Sequence, residues 1–288
     1  MKPRTIKAII NADRHVAGEH PMRQPLPAGT LDYLDPFILL HHHGPHHFEP
    51  DNAGLPFGPH PHRGFETVTL IYQGDIQHQD SRGHNSTIQA GGVQWMTAAR
   101  GIVHSENTSK AFRESGGDFE LIQLWINLPA SLKMSQPVYQ GVQKEALPVV
   151  QEDGGKVTVQ VVAGSWNGSQ GPVKSITGVS LFNLDFAKEG GGVTTTVAGH
   201  RNVLLYVLRG PVMVNGRQVN AGQLVQFETE DGSIAITASR QAKVLLGSGD
   251  ILNEPIATHG PFVMNTTTEI MEAFRDYQIG KMGILIEE

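Results

Sequence analysis

The chain has no cysteine, and that absence removes disulfides, thiolate nucleophiles, iron–sulfur clusters and Cys-ligated zinc together. Any metal would have to be held by His, Asp or Glu. Basic residues are also sparse: 22 Lys and Arg stand against 28 Asp and Glu, for a net charge of −6. No segment gathers Lys and Arg on one face, so the electrostatic footprint of a protein that binds nucleic acid or an anionic membrane is missing. No run of about 18 apolar residues is present to span a bilayer, and the opening MKPRTIKAIINADRHVAG lacks the apolar stretch of a signal peptide. A cytoplasmic protein is expected.

What is present is β-strand sequence. The 33 glycines and 17 prolines punctuate short runs such as TVTLIYQG, KVTVQVVAG, VSLFNLDFA and NVLLYVLRG, which predict an all-β sandwich or barrel. Only two segments read as helix. PASLKMSQP, residues 129–137, predicts a short linker helix bracketed by prolines. NTTTEIMEAFRDYQIGKMG near the C-terminus has a capping box at Thr266 and Glu269, a stripe of Ile270, Phe274 and Tyr277, and a stop at Gly280. A length of 288 residues accommodates two domains, taken here as 1–132 and 133–288. The halves align through their turns, Gly74 on Gly210 and Gly92 on Gly222, as a strand–turn repeat would.

Twelve of the fourteen histidines fall within the first 104 residues. His60 and His62 share one face of a strand, as do His104 and Glu106 in GIVHSEN. A barrel that joins these two edges would surround an ion with three imidazoles and a carboxylate, a set suited to Fe, Mn, Co, Ni, Cu or Zn rather than Ca or Mg. Four protein ligands would leave an octahedral ion two open positions. Isolated histidines such as His78, His84 and His259 read as structural, and HHHGPHHFEPD, residues 41–51, reads as a solvated loop rather than a second metal site. Glu66, four residues after His62, has the same apparent parity as the ligands and competes with Glu106 for the carboxylate role. Under the turn alignment the second half carries Thr196, Ala198 and Asn202 in place of His60, His62 and Glu66. Ile234 and Ile236 replace His104 and Glu106, which predicts a metal-free structural or interface module.

HPHRGFETV, QWMTAARGIVHSE, IQLWINLP and GPFVMNTTTEI occur in this order along most of the chain, and together they resemble the pirin family, a branch of the bicupin fold. The resemblance implies two cupin barrels (double-stranded β-helix, or jelly-roll) face to face. It also implies one metal in the N-terminal barrel bound through His60, His62, His104 and Glu106, and it favours Glu106 over Glu66. It further implies quercetin 2,3-dioxygenase activity, with iron as the expected ion, a flavonol and O2 as substrates, carbon monoxide as a product, and Glu106 as proton acceptor. Phe57 and Trp95 are candidate apolar walls or ordinary barrel packing. The rival reading is a non-catalytic, metal- or redox-responsive regulator that binds a protein partner. A zinc isomerase acting on sugar phosphates would want more cations at the mouth than Arg63, Arg82 and Arg100.

Overall fold

A computed structural model describes residues 1–17 and 20–286. It divides into two compact units, one of Met1–Arg14, Arg23–Leu39 and Glu145–Ile251, the other of His15–Met22, Leu40–Lys144 and Leu252–Glu288. The all-β expectation holds, and each unit is built around a seven-stranded and a four-stranded sheet. No helix among the described residues is long and apolar enough to cross a membrane.

The first unit is aliphatic inside. Val157, Val159 and Val161, then Val203, Leu205 and Val207, recur at the period of two that sends alternate side chains to one face of a strand. They pack against Val193, Val212, Val214, Ile234 and Ile236 of its four-stranded sheet. The isoleucines standing where the other half has His104 and Glu106 are thus core. Ile234 pairs with Thr195 rather than Thr196, a one-residue slip from the turn alignment that leaves the conclusion intact.

In the second, histidine-bearing unit the four-stranded sheet runs His60–His62, Ile102–Asn107, Asp75–Asp80, Asn85–Gln89. Ile76 and Ile88 from it meet Ile71, Phe119 and Leu121 of the larger sheet, a sheet-on-sheet core. The two units interleave along the chain rather than meeting at 132/133. Ile6–Asn11 pairs with Gln223–Phe227 in the aliphatic unit, while the C-terminal helix, Thr267–Gln278, belongs to the histidine-bearing one. That helix carries the expected capping box at Thr266 and Glu269 and buries Ile270 and Ala273 against Val103, Phe262 and Met264. Tyr277 turns out of the stripe and is exposed. Arg63, the residue after His62, fastens the helix by donating from Nη2 to Asp276 Oδ2 at 3.1 Å.

Two local expectations are corrected. PASLKMSQP is a run of turns: the Leu132 amide donates to the carbonyl of Pro129, the Lys133 amide is shared between those of Pro129 and Ala130, and the Ser135 amide turns to that of Leu132, so no helical ladder continues. Lys133 instead reaches inward, its Nζ donating to the carbonyl of Gly64, to Asn127 Oδ1 and to the carbonyl of Val263. A six-residue helix that the pattern does not announce, Lys110–Ser115, is capped by Ser109.

The expected loop at 41–51 is largely strand, since Phe37–Phe48 runs through HHHGPHH. Scoring histidine as polar hides this, but an imidazole is buried at little cost once it is hydrogen-bonded. His42 Nε2 meets Glu120 Oε1 at 3.0 Å with both side chains inaccessible. Burial first, and neighbouring histidines second, hold His41 down to about 4 and His43 to about 3 from the usual 6.5. Their folded pKa values are depressed, so the unfolded chain binds more protons between about 6.5 and these values, and stability present above pH 6.5 is lost as pH falls through that window. The melting midpoint of the metal-free protein is therefore expected to drop between pH 7 and pH 4.5, and less so in His43→Leu. An identical pH slope in that variant would show that His43 contributes nothing to it.

Candidate metal centre

The Ile102–Asn107 strand lies between two partners. On one side His104 pairs with His60 and Ile102 with His62; on the other His104 pairs with Asp80 and Glu106 with His78. The ligand-capable atoms of His60, His62 and His104 come within 4.8 Å of one another, and those of His78, His104 and Glu106 do the same. Among the described residues these are the two metal-capable groups, and both lie in the histidine-bearing unit. His60, His62 and His104 thus lie together, with Glu106 joined to them through His104.

The hydrogen bonds fix the tautomers. His60 Nδ1 stands 2.8 Å from the carbonyl of Gly58, and His62 Nδ1 3.3 Å from that of Pro261. A carbonyl only accepts, so both rings carry their proton on Nδ1 and present a bare Nε2. Those two Nε2 atoms face each other at 3.1 Å, lone pair to lone pair, an arrangement that calls for a cation between them. Burial and then the neighbouring His60 push His62 down to about 3, so that ring is a poor place for a bridging proton. His104 Nε2 is buried with no hydrogen-bond partner, and burial lowers that ring's basicity further. Three imidazoles with unoccupied Nε2 atoms and a nearby carboxylate fit a divalent transition metal.

Glu106 is held by neutral donors, Thr69 Oγ1 on Oε1 and Gln123 Nε2 on Oε2, both at 2.8 Å. Glu66 is elsewhere. It alternates with Thr69 along Phe65–Gln73 and so lies on the opposite face, where Trp95 Nε1 and Thr97 Oγ1 donate to it at 2.9 and 2.7 Å. The apparent parity with His62 fails because Gly64, at φ +91°, interrupts the strand between them. A Cβ at Gly64 would overlap the carbonyl oxygen of Val263, so the break is built into the packing.

Trp95, on the far face with Glu66, is not a wall of this site, and Phe57 packs at the margin of the cluster that contains Ile71, Ile76 and Ile88, its ring 5.8 Å from that of His43. Trp125 and Phe65 take that place, their rings 5.2 and 5.0 Å from His62. Thr69, Gln123 and Trp125 are absent from the sequence-based expectation, although Gln123 and Trp125 have the spacing of residues that share one strand face.

The sequence profile of the Pirin family matches residues 19–126, and that of the Pirin C-terminal cupin domain matches residues 183–283. The chain belongs to the pirin family. Pirin-1 of Arabidopsis thaliana is 40% identical over 258 residues, which cover 87% of this chain and 84% of that one. A pirin-like protein of Caulobacter vibrioides is 40% identical over 253 residues, covering 86% and 87%. The crystal structure of a quercetin 2,3-dioxygenase from Acinetobacter baumannii superposes with a TM-score of 0.92 at 35% identity, over 99% of this chain and all of that one. The two cupin domains of this pirin therefore differ in content: one gathers imidazoles where the other is filled with valine and isoleucine.

Proposed function

We propose that this pirin is a cytoplasmic, metal-dependent dioxygenase that opens quercetin-like flavonols with O2 and releases carbon monoxide. His60, His62, His104 and Glu106 hold the ion, which is iron in the cell. The observation that carries the reading is the convergence of bare Nε2 atoms, two of them 3.1 Å apart, beside a carboxylate. The substrate class rests on likeness to the Acinetobacter quercetin 2,3-dioxygenase. When bound, the ion supplies a Lewis acid for vicinal substrate oxygens and a path for electrons to dioxygen.

The chain's own residues do the rest. Glu106 accepts the proton of the flavonol 3-hydroxyl, for which it must come within about 3 Å of that oxygen. Thr69 and Gln123 hold its two oxygens in place through the transfer. Trp125 and Phe65 offer flat apolar surface to the ring system and exclude water beside His62.

Anaerobic purification with elemental analysis, followed by oxygen uptake on quercetin, tests this. Quercetin loss and carbon monoxide release should require both O2 and the metal, with kcat/KM at about 10⁴ M⁻¹s⁻¹ or above, as dedicated enzymes show. Metal content after overexpression is a poor guide to the native ion, since nickel, copper and zinc outcompete iron for nitrogen ligands. A rate orders of magnitude lower, together with a protein partner bound in only one oxidation state of the metal, would establish the regulatory reading instead.

A further inference from the structure

Two of the three converging imidazoles are oriented by backbone carbonyls. His104 is different, because its Nδ1 faces the Nδ1 of another histidine, His78, at 3.5 Å. The far nitrogen of that ring, His78 Nε2, lies 3.2 Å from Asp80 Oδ2. Asp80 is buried, and its oxygens are further engaged by the amides of Arg82 and His84 and by His84 Nδ1. It is ionised: burial alone would raise its pKa, but the hydrogen bonds from His78 and the two amides outweigh burial and hold it at about 2.

A carboxylate only accepts, so in the neutral ring Asp80 places the His78 proton on Nε2 and leaves Nδ1 with a lone pair. The proton of neutral His104 then belongs on its Nδ1, pointing at that lone pair, and Nε2 is left bare. Tyr139 stacks on His78 with ring centroids 4.1 Å apart and planes 8° from parallel, and its hydroxyl is fixed by Ser86 Oγ at 2.7 Å. The stack leaves the His78 ring little freedom to turn. We propose that Asp80 and His78 form a positioning relay that sets the tautomer and orientation of His104 and strengthens its Nε2 as a metal ligand.

The proposal rests on the assignment of His104 as a ligand, and it gives the buried acid–histidine pair a task that packing alone would not require. Partners of ligating histidines commonly set metal affinity in this way. Because His78, His104 and Glu106 also form a metal-capable group, the competing role for His78 is direct coordination.

The probe is Co(II) alone, titrated into the metal-free full-length chain against a chelating competitor while the visible absorption is recorded. His78→Phe keeps the stack on Tyr139 and removes both nitrogens; it should weaken Co(II) binding roughly ten- to a hundredfold and shift the visible bands. His78→Asn, whose amide oxygen sits near the Nδ1 position, should recover most of that loss. Asp80→Asn should move affinity and spectrum in the same direction as His78→Phe, and it stands in if that variant does not fold by circular dichroism. Unchanged affinity and spectrum in both His78→Phe and Asp80→Asn would overturn the relay. So would a loss of one coordinated imidazole in pulsed EPR of the Cu(II)-loaded His78→Asn, which would make His78 a ligand. Failure of the unmodified chain to bind Co(II) would overturn the site assignment instead.

Discussion

His104→Ala is expected to reduce metal content from about one ion per chain to background and to abolish flavonol cleavage with it. The side chain is inaccessible, and its ring lies 4.4 Å from that of His60 and 4.9 Å from that of His62, centroid to centroid. It is also the residue shared by both metal-capable groups, so its removal breaks each of them at once. What remains is a pair in each group, His60 with His62 and His78 with Glu106, and no three donors still converge, where three or four protein ligands are usual. Elemental analysis of the variant beside His259→Ala, whose histidine is exposed and outside the cluster, separates loss of the site from loss of any histidine. Full metal content in His104→Ala would refute the assignment.

The second large effect distinguishes two carboxylates that look alike in the sequence. Glu106→Gln should weaken metal binding by more than the roughly hundredfold ceiling usual for residues that only support a ligand. The neutral amide still fits between Thr69 and Gln123, so folding should be retained. Glu66→Gln should leave metal affinity close to that of the parent and instead lower stability by about 1–3 kcal/mol, because Trp95 and Thr97 both donate to its Oε1 and the amide that replaces the carboxyl brings a buried NH2 with no matching acceptor among them. Isothermal titration and thermal unfolding of the two variants give both quantities. If Glu66→Gln loses the metal and Glu106→Gln keeps it, the carboxylate has been wrongly chosen.

The parts of this site legible in the sequence are those that depend on short-range periodicity. His60 with His62, and His104 with Glu106, each sit two residues apart within one strand, and a pair at that spacing shares a face whatever the tertiary fold. The capping box at Thr266 is equally local. Glu66 misleads because parity counts only along an unbroken strand, and Gly64 breaks it. The HHHGPHH strand misleads for a chemical reason, as histidine carries no fixed polarity: His42 is core once Glu120 is opposite it. His78 and Asp80 say little singly. Their meaning comes from cross-strand register with Glu106 and His104, which depends on how two distant segments pair and leaves no mark in either alone.

The carbonyl that orients His62 belongs to Pro261. Two residues on, the Val263 amide donates to the carbonyl of Arg63, and the Val263 carbonyl accepts one of the bonds of Lys133. A nascent chain that has reached only Ile251 on the ribosome already contains every proposed ligand, yet it has none of these late partners. During synthesis, then, the proposed ligands are made before the residue whose carbonyl faces one of them. A chain that stops short of Pro261 would lack the carbonyl that faces His62 Nδ1 and would leave that ring free to take the other tautomer.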